Sequence, residues 1–194
     1  MLKIVTAPNS VLSQTAKPVG KINKTILNLI EEMKQALLSA KDPEGVGLAA
    51  PQVGHPLQLF ITKPTPKFPI QIFINPKIAS KTEISHLTID DDRREKLNKS
   101  TQGKRSTSKL EGCLSLPNIW GEVDRSPGIA LSYLDAKGKT HNRTFTGLSA
   151  TIIQHEMDHL SGILFPKKVL EQKGTLYKSH KDEKNGDVFE EIEL

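Results

Sequence analysis

Residues 148–164 restrict the rest of the chain more than any other stretch. Apolar side chains at Leu148, Ile152, Ile163 and Leu164 surround His155-Glu156-Met157-Asp158-His159, and no proline interrupts the run before Pro166. This predicts a buried helix. Positions i and i+4 stack on one helical face, so His155 and His159 are placed to hold one divalent cation. Glu156, one position round from His155, can lean toward a water on that cation without being a ligand. Helices that hold no metal carry the same spacing by chance, so the remainder of the chain has to decide.

At 194 residues the chain fits one domain with a substantial core. No apolar run approaches the length a bilayer needs, and the first residues lack the apolar stretch of a secretory signal. A cytoplasmic protein with no membrane partner is expected. The net charge of +5 has much of its excess in residues 81–109 and 167–184. Such a balance would help transient contact with a ribosome, but without interleaved aromatics these runs read better as solvated surface, and no DNA partner is expected. Cys113 is the only cysteine, which excludes an intramolecular disulfide and makes it a candidate ligand or nucleophile.

Residues 4–19 read as an extended arm broken at Pro8 and Pro18. Ile22, Ile26, Leu29, Ile30, Met33 and Leu37 then form one stripe of an amphipathic helix, which core packing explains completely. The segment Gly45-Val46-Gly47-Leu48-Ala49-Ala50-Pro51-Gln52 is too small and glycine-rich for ordinary core. Gly45 and Gly47 allow another backbone to approach, and Gln52 offers both an amide donor and an acceptor. A plain turn would also account for it, whereas a phosphate loop lacks its Gly-Lys-Ser/Thr.

Residues 57–62 and 70–74 read as strands. Residues 79–109 form a polar segment whose composition favours mobility, with Asp90, Asp91 and Asp92 better read as solvated than as a calcium loop. Order returns at Glu111-Gly112-Cys113-Leu114-Ser115. Residues 129–134 and 140–146 make a hairpin, and beyond Pro166 a short helix and a loose tail are expected over 167–194. Strands before and after a central helix predict an α+β fold, mostly antiparallel, around the His-Glu-x-x-His helix and with an N-terminal amphipathic helix.

Cys113, His155 and His159 would supply one sulfur and two nitrogens with a fourth position open, the pattern of a catalytic rather than a structural site. Three motifs, Gly45 to Gln52, Glu111 to Ser115 and Gln154 to His159, in this order and with the sole cysteine in the middle one, resemble the peptide deformylases. Looser similarity at Ile4-Val5-Thr6-Ala7-Pro8 and Val11-Leu12 extends the likeness over residues 1–166, taken as the catalytic domain.

The resemblance implies removal of the formyl group from N-formylmethionyl peptides, the nascent chains of bacterial-type synthesis, with release of formate. It implies one divalent metal ion on Cys113, His155 and His159: ferrous iron (Fe2+) first, with zinc (Zn2+), nickel (Ni2+) or cobalt (Co2+) able to replace it. A water polarised by the ion would attack the formyl carbon, with Glu156 as general acid and base and with the Leu114 N–H and the Gln52 amide on the oxyanion. The peptide would add as a strand between Val46-Gly47 and Glu111-Gly112. Its methionine would enter a pocket of Val46, Leu148, Thr151, Ile152 and the His155 ring, made somewhat polar by Thr151. Glu111 would orient a ligand imidazole with Arg125 as charge partner, although an ordinary surface pair accounts for those two equally well. Trp120 would stand at the cleft rim or be a buried aromatic.

Residues 79–109 are longer and more polar than the family usually has there, and residues 167–194 match no part of it. A metallopeptidase and a non-catalytic metal-binding protein remain the rival readings. A ligand cysteine so far upstream disfavours the first, and the presence of both Glu156 and Gln52 disfavours the second.

Overall fold

The protein is described by a computed structural model covering residues 2–41, 43–82, 109–182 and 186–193. Its first helix, α1 (Lys24–Ser39), starts two residues after Ile22 because Asn23 is extended and caps it, its side chain accepting the Ile26 N–H at 3.1 Å. The predicted stripe buries Leu29, Ile30, Met33 and Leu37. The arm before it is not uniformly extended: Ser10–Ser13 form a 3-10 turn, which buries Leu12.

Strands β1 (Gly47–Ala49), β2 (Leu59–Thr62), β3 (Gln71–Thr82), β6 (Gly128–Leu134) and β7 (Thr140–Thr146) form an antiparallel five-stranded sheet in the order β1-β2-β3-β6-β7. Strands β4 (Lys109–Cys113), β5 (Leu116–Val123), β8 (Leu176–Asp182) and β9 (Gly186–Glu191) form a second antiparallel sheet in the order β4-β5-β8-β9. Helix α2 (Gly147–Leu160) follows β7 directly, and the short α3 (Phe165–Glu171) follows α2. The α+β, mostly antiparallel expectation therefore holds. β1 and β4 each lie at the end of their sheet.

Helix α2 is seated by its apolar face. Ala150, Ile153 and Leu160 pack with Phe60, Phe73, Ile129, Leu131 and Phe145 of the first sheet, and Phe60 and Phe73 stack at 4.6 Å. Each such fully buried side chain is worth about 1.5–3 kcal/mol. A second cluster joins Cys113 and Val123 to Phe165, Val169 and Leu176 on the other sheet, so the cysteine end of β4 is anchored to α3.

Three expectations need correction. Helix α2 stops at Leu160 rather than reaching 164, because Gly162 adopts φ 69° and the Ile163 N–H returns to the Asp158 carbonyl at 2.9 Å. Leu148, counted toward a buried helix, is 49 % exposed at its first turn. The loose tail is instead the β8–β9 hairpin, joined to β5 through Trp120–Tyr177 and its neighbours, pairings that apolar periodicity does not reveal. Of the polar segment 79–109, residues 79–82 extend β3 and Lys109 begins β4; the intervening residues lie outside the described ones. No helix among the described residues is long and apolar enough to cross a membrane.

Candidate metal centre

Helix α2 presents His155 and His159 one turn apart, their rings edge to face with centroids at 5.0 Å. The end of β4 brings Cys113 to them from a different sheet, its Sγ 3.2 Å from His159 Nε2. One ligand atom from each of the three residues falls within 4.8 Å of the others. A tetrahedral ion with sulfur and nitrogen ligands separates its donors by roughly 3.5 Å, so these residues fit a divalent cation with little rearrangement.

The groups behind the ligands set their orientation. Glu111 Oε2 lies 3.0 Å from His155 Nδ1, leaving Nε2 as the nitrogen free to ligate. Arg125 grips both oxygens of Glu111, with Nε at 2.8 Å and Nη2 at 2.9 Å, and its Nη1 reaches Asp158 Oδ2 at 2.5 Å. The Arg125 and Glu111 side chains are 8 % and 7 % exposed, which rules out an ordinary surface pair. Burial pushes the Glu111 carboxyl up, but the hydrogen bonds from Arg125 and His155 outweigh it and hold the group below the usual carboxylate value. Burial depresses His159 well below an ordinary histidine.

Glu156 is 3 % exposed, and its Oε2 has no hydrogen-bond partner among the described residues. Burial raises its carboxyl to about 7. It has room only because residue 47 lacks a side chain: a Cβ on Gly47 would overlap Glu156 Oε1 and come within 2.8 Å of its Cδ. Gln52 is fixed at both ends of its amide. Oε1 accepts the Ala49 N–H at 2.8 Å, so Nε2 faces Ser115 Oγ at 3.2 Å and Cys113 Sγ at 3.5 Å.

These groups open on one cleft of about 360 Å³ between β1 and β4. Its lining brings together every substrate position expected from the sequence, namely Val46, Gly47, Glu111, Gly112, Leu148, Thr151 and Ile152, together with Gln52, Cys113, Leu114, His155 and Glu156. His159 lies behind them, 1 % exposed. Thr151 adds less polarity than expected, since its hydroxyl donates to the Gly147 carbonyl at 3.3 Å. Trp120 lines the cleft, as do Pro43, Glu44 and Leu110, and is half-buried rather than a fully buried aromatic.

Sequence reasoning missed Asp158 and Ser115. Asp158 lies within the helix motif, three positions after His155, and a buried arginine held by one carboxylate invites a second, but nothing in the sequence pairs 125 with 158. Ser115 lies in the cysteine motif, and only the fold brings its hydroxyl to Gln52.

A family model described as polypeptide deformylase matches residues 1–174. The chain is 36 % identical over 174 residues to peptide deformylase 2 of Prochlorococcus marinus, covering 88 % of this chain and 75 % of that protein. It is 37 % identical over 164 residues to the peptide deformylase of Synechocystis sp., covering 83 % and 75 %. Among solved structures, the peptide deformylase of Thermotoga maritima superposes with a TM-score of 0.69 at 30 % identity, covering 87 % of this chain and 97 % of that one. The enzyme from Synechococcus elongatus gives 0.70 at 34 % identity, covering 87 % and 78 %. With a Cys-His-His donor set opening on a cleft between two strand edges and these similarities spanning nearly its whole length, the chain belongs to the peptide deformylases.

Proposed function

We propose that the chain hydrolyses the formyl amide of N-formylmethionyl peptides and releases formate, and that the site residues act as follows. The observation that carries this reading is the convergence, in one cleft, of the Cys113–His155–His159 donor set, the buried Glu156 carboxyl and the clamped Gln52 amide. A divalent cation held by that set supplies Lewis acidity and a nucleophilic water at neutral pH.

Glu156 takes the proton released as water adds to the formyl carbon and returns it to the methionine nitrogen as the C–N bond breaks. Burial, which disfavours its charged form, suits a carboxyl that both takes up and returns a proton. Gln52 Nε2 and the Leu114 N–H donate to the formyl oxygen as the carbon becomes tetrahedral; the Ala49 N–H and Ser115 Oγ orient the Gln52 amide, and its Nε2 exchanges the long 3.5 Å contact with Cys113 Sγ for that oxygen. Glu111, braced by Arg125, keeps His155 in its ligating orientation.

The peptide lies as an added strand between Gly47 and Gly112, with its methionine against Val46, Leu148, Thr151, Ile152 and the His155 ring. The resemblance to the deformylases supports ferrous iron as the ion; zinc, nickel and cobalt suit the same donors, and availability chooses among them. Action on nascent chains supports a cytoplasmic location, with no more than transient contact with the ribosome.

The test is an anaerobic preparation with metal analysis, followed by a formate assay on formyl-Met-Ala-Ser beside its acetylated and unblocked counterparts. Formate from the formylated peptide alone is expected. Internal cleavage without formate would replace this reading with a metallopeptidase.

A further inference from the structure

Strand β5 pairs with β8 through Trp120–Tyr177 and Gly121–Leu176, and one further main-chain bond carries the pairing to Glu122, whose N–H donates to the Thr175 carbonyl at 3.1 Å. Upstream of Thr175 the neighbouring chain belongs to helix α3, which ends at Glu171. A side chain then takes over the pairing. Gln172, the residue that closes α3, accepts the Asp124 N–H on Oε1 at 2.8 Å and donates from Nε2 to the Asp124 carbonyl at 3.1 Å. Its amide carries one donor group and one acceptor side by side, as a peptide unit in a neighbouring strand would. Two residues on, Gln154 of α2 does the same for Ser126, accepting its N–H at 3.2 Å and donating to its carbonyl at 2.8 Å.

Arg125 is the residue between the two clamps. Main chain held on both sides fixes the direction in which its side chain leaves, and that direction is inward, onto Glu111 and Asp158. Glu111 in turn holds His155 Nδ1 at 3.0 Å. A series of hydrogen bonds and one covalent step therefore runs from Gln172 to a candidate metal ligand. The guanidinium meets both oxygens of Glu111, and such a fork tolerates little misdirection. A swing of the main chain at residue 124 would cost that two-point grip before it cost the charge. The two clamps differ in burial: Gln154 is 6 % exposed, whereas Gln172 faces solvent. Water can stand in for the Gln172 amide, so replacing it leaves no buried polar group unpaired.

We propose that Gln172, which lies outside all three sequence motifs, is a positioning residue for the metal centre: it clamps Asp124 so that Arg125 meets Glu111 squarely and Glu111 keeps His155 turned toward the ion. This rests on the reading that Cys113, His155 and His159 hold a divalent cation, and extends it to a residue at the end of α3 that touches neither the ion nor its ligands. Water in place of the amide would satisfy the Asp124 main chain without fixing where it sits. The expected loss is thus one of geometry at the ion, with the fold kept.

The test uses the full-length protein and Co2+, with affinity read by competition against a chelator and coordination read from the visible d–d absorption of the bound ion. Loss of a group that directly orients a ligand costs about 10–100-fold in metal affinity; Gln172 acts further back, so Gln172→Met should weaken Co2+ binding roughly threefold to tenfold and shift the d–d bands. The Tm of the metal-free protein should move by no more than about 2–4 °C. Leu170→Ala, on the exposed side of the same helix, should leave affinity and spectrum at the parent's values. In an Arg125→Lys background, which keeps the charge and loses the fork, Gln172→Met should change affinity by less than about twofold. An affinity and spectrum unchanged in Gln172→Met, an equal change in Leu170→Ala, or a full-sized effect in the Arg125→Lys background overturns the proposal. A parent protein that takes up no cobalt would sink the metal reading and this proposal with it, whereas a tightly binding parent beside an indistinguishable Gln172→Met sinks the proposal alone.

Discussion

Gly47→Ala tests how tightly the catalytic geometry is packed. The new methyl would overlap Glu156 Oε1, lie 2.8 Å from its Cδ and 3.0 Å from Ile152 Cγ2. Ile152 is buried in the helix that carries Glu156, so the carboxylate has to yield. A shift on the order of 1 Å in a catalytic group costs about a hundredfold in rate, within the range of about 10²–10⁴ that general acid–base catalysis contributes. Stability should change far less. Replacing glycine by alanine narrows the unfolded ensemble by about 0.4–1 kcal/mol, against about 1–3 kcal/mol for overpacking. Since Tm moves by about 2–4 °C per kcal/mol in a domain of this size, it should fall by only a few degrees. The assay is formate release at saturating formyl-Met-Ala-Ser, which separates lost turnover from a narrowed cleft, with bound metal and Tm measured on the same samples. Adding Gly47→Ala to Glu156→Ala should cost nothing further, because the displaced group is already gone. A Gly47→Ala enzyme with kcat within threefold of the parent, or a double variant much slower than Glu156→Ala alone, would refute the reasoning.

Arg125→Met strips the buried Glu111 and the half-buried Asp158 of their cation and should destabilise the protein by about 3–5 kcal/mol, read as a lower urea midpoint; a change below about 1 kcal/mol would show that water replaces the guanidinium. Gln52→Ala should lower kcat about a hundredfold to a thousandfold with bound metal unchanged, and an unaltered kcat would remove Gln52 from the oxyanion site. Stripping the metal with a chelator should lower Tm by an amount that readdition of the ion restores, whereas a Tm indifferent to chelation would mean that the three donors do not hold the ion in the folded state.

The sequence made the site more legible than the fold around it. Helical spacing carries the positions of His155, Glu156 and His159 directly, since one turn fixes their relation without any knowledge of tertiary structure. Cys113 was identifiable because it is the only thiol, and Gln52 because its motif is too rich in small residues to be packing. Contacts between elements far apart in the chain are not readable in it. Asp158 reaches Arg125, and Trp120 reaches Ser179, across gaps that no local period encodes. The C-terminal hairpin reads as a tail in the sequence because, among the described residues of β8 and β9, Leu176 alone is a buried apolar side chain; its order comes from pairing with β5. The end of helix α2 was missed for a different reason. Ile163 and Leu164 continue the apolar run, and only the positive φ of Gly162 turns the chain away.

The cleft is walled by the last strand of each sheet, β1 on one side and β4 on the other. Strands in that position keep a row of amide and carbonyl groups available, a hazard that invites unwanted partners unless something is meant to occupy it. Main-chain groups repeat identically in every polypeptide, whatever its side chains. A slot that grips its guest by those groups can therefore accept almost any N-terminus a cell translates, while leaving discrimination to the few pockets along its length.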